Sequence, residues 1–291
     1  MAFKPYLQLV RLPNVFTAAA DGLAGWLLAV GTFAAPGRWA PLVGASMALY
    51  TSGIVLNDVF DYDIDKSERP SRPLPSGRVS RRFAARLGWS LLGLGLGLAA
   101  LSGSWASLAV AAALAVCVVA YDAGGKRTVL GPELMGACRG LNLLLGMSQG
   151  DRLGGPGGWL AATALAVFVA GVTWISRSET STGRIQGVLA GMALQALGVA
   201  GLVVAATHQR DADPIGLFVL AGVGALAVRA GGRAVQDPVP ATIQRAVKTG
   251  VLALVWLDVG LVAAARGPTP ALAVAACWVP AFVLGRWLYS T

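Results

Sequence analysis

With 56% of its 291 residues apolar and only 13% charged, at a mean hydropathy of +0.66, the chain has far more apolar side chains than one soluble core can bury, which argues against a soluble fold. A net charge of +9 suggests nucleic acid at first sight, but the basic residues are scattered through loops between apolar runs, so topology and anionic lipid explain them better. Cys117, Cys138 and Cys277 lie within apolar runs and form no CxxC, which argues against a disulfide framework or a zinc site.

Ten apolar runs follow one another along the chain, at 15–30, 39–56, 84–101, 104–121, 129–147, 159–175, 185–206, 215–228, 249–264 and 271–288. A bilayer needs roughly 17 to 25 residues per helix, so they predict an all-α transmembrane bundle of nine or ten helices. The eighth is the weakest, being short and diluted by Gly222 and Gly224. Because the runs use the whole chain, residues 1–291 are expected to form a single domain. The segment ahead of the first run has no small-residue cleavage site, so that run reads as a membrane helix rather than a removable signal.

Lys and Arg divide between alternate loops. One side collects residues such as Lys4, Arg11, Arg69, Arg72, Arg81, Lys126, Arg127, Arg177, Arg184, Arg233 and Lys248, while the other receives Arg38, Arg152, Arg210 and Arg266. Positive charge marks the cytoplasmic face, which predicts an integral membrane protein with a cytoplasmic N-terminus. Glycines crowd the runs, for example Gly88, Gly93, Gly95 and Gly97, and allow close helix packing in lipid.

The chemistry-bearing stretch follows the second run: Asn57-Asp58-Val59-Phe60-Asp61-Tyr62-Asp63-Ile64-Asp65, then Arg69-Pro70 and Arg72-Pro73-Leu74-Pro75-Ser76-Gly77. If the helix continues through Asp65, Asn57, Asp61 and Asp65 project from one face with Asp58 beside them. Carboxylates so close repel one another unless a cation compensates, and their oxygens suit Mg²⁺ completed by substrate phosphates. The plainer reading is a set of charges marking the water boundary of a helix and paired with the arginines that follow. The combination of Asn, the three-and-four spacing and the Arg-Pro turns favours the metal cradle.

This pattern resembles the first signature of the UbiA superfamily of intramembrane prenyltransferases, whose opening Arg11, Pro13 and Asn14 also resemble. The resemblance implies a Mg²⁺-dependent helical bundle in which a prenyl diphosphate loses pyrophosphate and the allylic cation alkylates an acceptor. It implies Asp58, Asp61 and Asp65, with Asn57, as metal ligands, and Lys126, Arg72 and Arg69 as holders of pyrophosphate. Tyr121 and Lys126 stand where the family carries a Tyr and a Lys that reach the diphosphate, though their spacing here is five rather than four. Lys126-Arg127 alone would otherwise read as a positive-inside anchor.

The family's second acidic motif, after the sixth span, is reduced here to Glu179 within Ser176-Arg177-Ser178-Glu179-Thr180-Ser181-Thr182-Gly183-Arg184. Either fewer metal ions serve the site, or Arg177 and Arg184 supply part of the missing charge, since a cation can neutralise pyrophosphate as a metal does; alternatively the diphosphate chemistry is changed. In the fifth run Arg139 and Asn142 share a face. A charge there belongs in the bundle interior, either as a substrate contact or as a partner of Asp21 that locks helices. Asp258 in the ninth run is a further polar lining candidate. This region, with Tyr121-Asp122 and Glu179, resembles the EboC-like branch of the superfamily.

The first expectation is therefore prenyl transfer from a diphosphate to an aromatic or other lipophilic acceptor. A terpene cyclase of UbiA type and a non-catalytic polyprenyl-lipid carrier are the alternatives. A transporter fits less well, since the acids lie at a helix end and no inverted repeat is visible.

Overall fold

In lipid a backbone must satisfy its own hydrogen bonds, so apolar runs of this length become helices. The computed structural model describes residues 3–178, 185–208 and 212–288. A short α1 (Lys4–Leu9) leads into α2 (Leu12–Ala29), α3 (Pro36–Phe60), a short α4 (Tyr62–Glu68), α5 (Arg81–Leu101) and α6 (Trp105–Asp122). Then come α7 (Gly131–Met147), α8 (Gly155–Arg177), α9 (Ile185–Thr207), α10 (Pro214–Gln236), α11 (Pro240–Arg266), α12 (Pro268–Ala276) and α13 (Trp278–Leu288). Eight of the described helical segments are long and apolar enough to cross a membrane, with α12 and α13 forming one segment between Pro268 and Trp287. The first and fifth predicted runs are helices too, α2 and the 17-residue α7.

Every predicted run is thus a helix, with the eighth extended. Its apolar stretch stops at Val228, but α10 continues to Gln236 and ends past Arg229 and Arg233, whose long stems keep the head groups in water beyond the apolar zone.

At the centre stands α2, packed against α3, α7, α11 and α13. Ala18, Ala20, Ala24 and Leu27 are fully buried on it, as expected of a helix with protein on all sides. At its C-terminus the Arg266 guanidinium of α11 donates to the carbonyls of Leu27 and Leu28 at 3.1 and 2.5 Å, which satisfies acceptors the helix itself leaves open.

The α2–α7 crossing depends on glycine. A Cβ on Gly25 would strike the Leu143 carbonyl, and one on Gly146 would strike the Gly22 carbonyl, so the backbones touch directly. Gly146→Val therefore forces the two helices apart and should destabilise the protein by about 1–3 kcal/mol, measured as a fall in thermal midpoint in detergent.

Candidate active site

At one end of the bundle the acidic stretch is folded into a cleft by three separate pieces of chain. The helix breaks at Asp61, where α3 gives way to α4, but Asp61 N–H still donates to Asn57 O at 2.9 Å and Asp65 N–H to Asp61 O at 2.8 Å. The four-residue spacing of Asn57, Asp61 and Asp65 therefore survives the break. Asp58 and Asp65 are buried, each 4% exposed, so their charges need partners.

The Arg-Pro segment after α4 supplies one. Leu74 and Val79 are buried with Leu9 of α1, Val55 of α3 and Ala84 of α5, and this small apolar cluster folds the segment back over the acids. Arg72 then reaches Asp65 Oδ2 at 2.7 Å and Asp58 Oδ1 at 3.5 Å. Arg11, left-handed at φ 44° between α1 and α2, donates to Asp58 Oδ1 at 3.0 Å. Arg69 is exposed at the end of α4.

The turn between α6 and α7 supplies the rest. Lys126 Nζ donates to Asn57 Oδ1 at 2.8 Å and to Asp61 Oδ2 at 2.7 Å, while Arg127 reaches Asp61 Oδ1 at 3.2 Å. The five-residue interval from Tyr121 is accommodated by Gly124 at φ 149°, outside the range of ordinary side chains, followed by a short 3₁₀ turn over Gly125–Arg127. Arg177, from the end of α8, holds that turn from behind by donating to the carbonyls of Lys126 and Thr128 at 2.6 and 2.5 Å. Tyr121 is half-buried beside the cleft, near the charges of Asp61 and Arg177.

Asp122 was given no separate role by the sequence, yet it is buried at the end of α6 with its Oδ2 lacking a hydrogen-bond partner. Its signal was a carboxylate placed as the last residue of an apolar span, where a charge is expensive. Glu179 and Arg184 lie outside the described residues.

Arg139 and Asn142 are brought together elsewhere, in the middle of the bundle. Arg139 Nε lies 2.7 Å from Asp21 Oδ2, an ion pair in distance whose N–H is poorly aligned for a hydrogen bond. Asn142 Nδ2 donates to the same oxygen at 2.8 Å and to Ala18 O at 3.2 Å. The Tyr50 ring lies 5.6 Å from the guanidinium, and Asp258 of α11 adjoins Asp21. Helices α2, α3, α7 and α11 are thereby tied at one point. Removing one partner of such a pair leaves an uncompensated buried charge, so Arg139→Met should cost about 3–5 kcal/mol. Much of the loss should return in the Asp21→Asn/Arg139→Met double variant, with thermal unfolding as the readout for both.

The oxygen-only donors Asn57, Asp58, Asp61 and Asp65 suit Mg²⁺ in chemistry, and the ion pairs use only Oδ1 of Asp58 and Oδ2 of Asp65, leaving a second oxygen on each. Among the described residues no three acidic, His or Cys side chains already converge on one metal position. The reason is visible: each acid is turned towards a cation. Asp58, Asp61 and Asp65 face Arg11, Arg72, Lys126 and Arg127, a balance that a metal–phosphate pair could enter by exchange.

Comparison with known proteins adds independent findings. The profile of the UbiA prenyltransferase family matches residues 18–181, more than half of the chain. A digeranylgeranylglyceryl phosphate synthase of Sulfolobus acidocaldarius is 38% identical over 96 residues, covering 33% of this chain and 34% of its own; the corresponding enzyme of Metallosphaera sedula is 33% identical over 143 residues, 49% and 50% respectively. The chain thus spans between a third and a half of these curated relatives. The solved structure of a digeranylgeranylglyceryl phosphate synthase has the same fold, with a TM-score of 0.71 at 22% identity, covering 91% of this chain and 99% of that one.

Proposed function

The chain belongs to the UbiA prenyltransferase family, and on that premise we propose that it transfers a prenyl group from an isoprenoid diphosphate to an aromatic or other lipophilic acceptor within the membrane, with Mg²⁺ as cofactor. The observation that carries this reading is the meeting of Lys126 and Arg72, from two different loops, on the acid ladder that ends α3. A cleft where fixed cations and carboxylates already neutralise each other is suited to a metal-bound diphosphate and needs little reorganisation when charge develops on the leaving group.

Asn57, Asp58, Asp61 and Asp65 would hold the metal, and Lys126, Arg72 and Arg69 the pyrophosphate, with Tyr121 beside them and Glu179 as a further contributor. When bound, Mg²⁺ acts as a Lewis acid on the phosphate oxygens of the leaving group. Lys126 donates to the bridging end of the diphosphate, and Arg72 and Arg127 take up charge as the carbon–oxygen bond lengthens. Arg177 keeps Lys126 in place through the turn's carbonyls. The apolar helices below the cleft receive the hydrocarbon chain and keep water from the allylic cation. In this reading Arg139 and Asn142 act from the interior, where they fix the helices that line the chain's path and set how deep it can reach.

The basic residues gathered at this end support a cytoplasmic cleft, and the EboC-like resemblance supports a bacterial cell membrane. Tyr121-Asp122 and the Arg139–Asn142 pair support the EboC-like branch. The relatives' names support a glyceryl phosphate lipid as one acceptor to try, alongside phenols and aromatic acids.

The test is product analysis of the purified protein with Mg²⁺ and geranyl, farnesyl or geranylgeranyl diphosphate, with and without those acceptors. Acceptor-dependent alkylated product supports transfer. Cyclic hydrocarbon without acceptor would replace it with a cyclase, and tight binding without pyrophosphate release with a lipid carrier.

A further inference from the structure

Asp122 ends α6 with 4% exposure, and its Oδ2 is buried without a hydrogen-bond donor. That oxygen faces α3 at Gly53, 4.0 Å from the position a Cβ would take there. Gly53 precedes Asn57 by four residues, one helical turn or about 6 Å towards the membrane. The charged groups that bear on Asp122 are Lys126 on its own side and Asp58, Asp61 and Arg11 across the cleft, all on the diphosphate side of it. Deeper in the bundle α3 carries Tyr50, whose ring lies 5.6 Å from the Arg139 guanidinium.

This vertical order matters. A diphosphate held at Asn57, Asp61 and Lys126 directs its first carbon towards the membrane, to the level of Gly53 and Asp122. The bond to the acceptor forms at that carbon, and the acceptor must then lose a proton where water is excluded. A carboxylate oxygen with no donor keeps its lone pairs for that proton, whereas the oxygens of Asp61 are already occupied by Lys126 and Arg127.

Resting on the transferase reading, we infer that Asp122 is the general base of the reaction, taking the acceptor's proton as the new bond to the prenyl carbon forms. The carbon–oxygen bond of the donor breaks and its electron pair leaves with pyrophosphate. A lone pair of an acceptor hydroxyl, or the π electrons of an aromatic ring, bonds to the allylic carbon. The hydroxyl or ring proton passes to Asp122 Oδ2 and leaves to water when the products do.

The experiment compares wild type with Asp122→Asn and Asp122→Glu, using geranylgeranyl diphosphate as donor and geranylgeranylglyceryl phosphate or a phenol panel as acceptor probes. Three quantities are followed: alkylated product, pyrophosphate released without acceptor, and Mn²⁺ bound in the presence of pyrophosphate by electron paramagnetic resonance. Asp122→Asn should lower transfer by about 100-fold or more and leave acceptor-free pyrophosphate release and Mn²⁺ binding as in wild type; Asp122→Glu should regain part of the transfer. If transfer is unaffected, Asp122 is not the base; if pyrophosphate release or Mn²⁺ binding falls along with transfer, Asp122 is not the base and serves the diphosphate or the metal instead. Wild type that releases pyrophosphate but alkylates none of the probes defeats the transferase reading and the base with it, an outcome distinct from a selective loss in the variant.

Discussion

Asp61→Ala is expected to lower Mg²⁺-dependent pyrophosphate release by about 100- to 1,000-fold, while the protein remains folded in membranes. Asp61 sits at the break between α3 and α4, half-buried, with Lys126 on one oxygen and Arg127 on the other. It is the point where the ladder's carboxylates meet the cations of the α6–α7 turn. Removing it takes away a metal ligand of the proposed site and releases Lys126 from the geometry in which it meets the diphosphate. The side chain is partly solvated, so the empty place can fill with water and the fold should survive. Turnover and thermal midpoint measured on the same preparation check both halves, and retained turnover would count against the metal assignment.

Lys126→Gln should weaken the reaction nearly as much, with a different signature. The side chain is 12% exposed and its ammonium bonds both Asn57 and Asp61. In the proposed site its charge would contact the ground-state diphosphate and matter more as negative charge gathers on the leaving group, so both donor affinity and kcat should fall, together by about 10- to 1,000-fold in kcat/KM. Glutamine keeps a donor for Asn57 or Asp61 but carries no charge, and so separates the electrostatic role from the structural one. A variant with unchanged kcat and a raised KM would show that Lys126 contributes binding alone. Pre-steady-state release of pyrophosphate distinguishes these cases.

The helices were legible because membrane spans declare themselves by length and apolarity, and the acid ladder because i and i+4 positions remain on one face even where the helix bends at Asp61. The reach of Lys126 across a five-residue interval was less so. It depends on Gly124 taking a backbone angle that the sequence permits but does not require. Long-range partners were least visible. Arg72 meets Asp58 and Asp65 because Leu74 and Val79 find an apolar cluster with Leu9 and Val55, a contact no local pattern announces. Arg139 was expected in the interior with either a substrate or Asp21 beside it; its salt bridge is with Asp21, and Asp258 joins from a helix far along the chain. Asp122 lay just beyond the 104–121 run, and only the placement of α3 opposite it reveals a buried carboxylate with a free oxygen.

The central claim is that the cleft at the end of α3 binds a metal-bound prenyl diphosphate. The most direct measurement is equilibrium binding of an unreactive thiolo analogue of geranylgeranyl diphosphate to the purified protein, titrated with and without Mg²⁺, in wild type and Asp61→Ala. The account predicts saturable binding that requires Mg²⁺ and is lost in the variant. Binding equal with and without Mg²⁺, and equal in the two proteins, would contradict it.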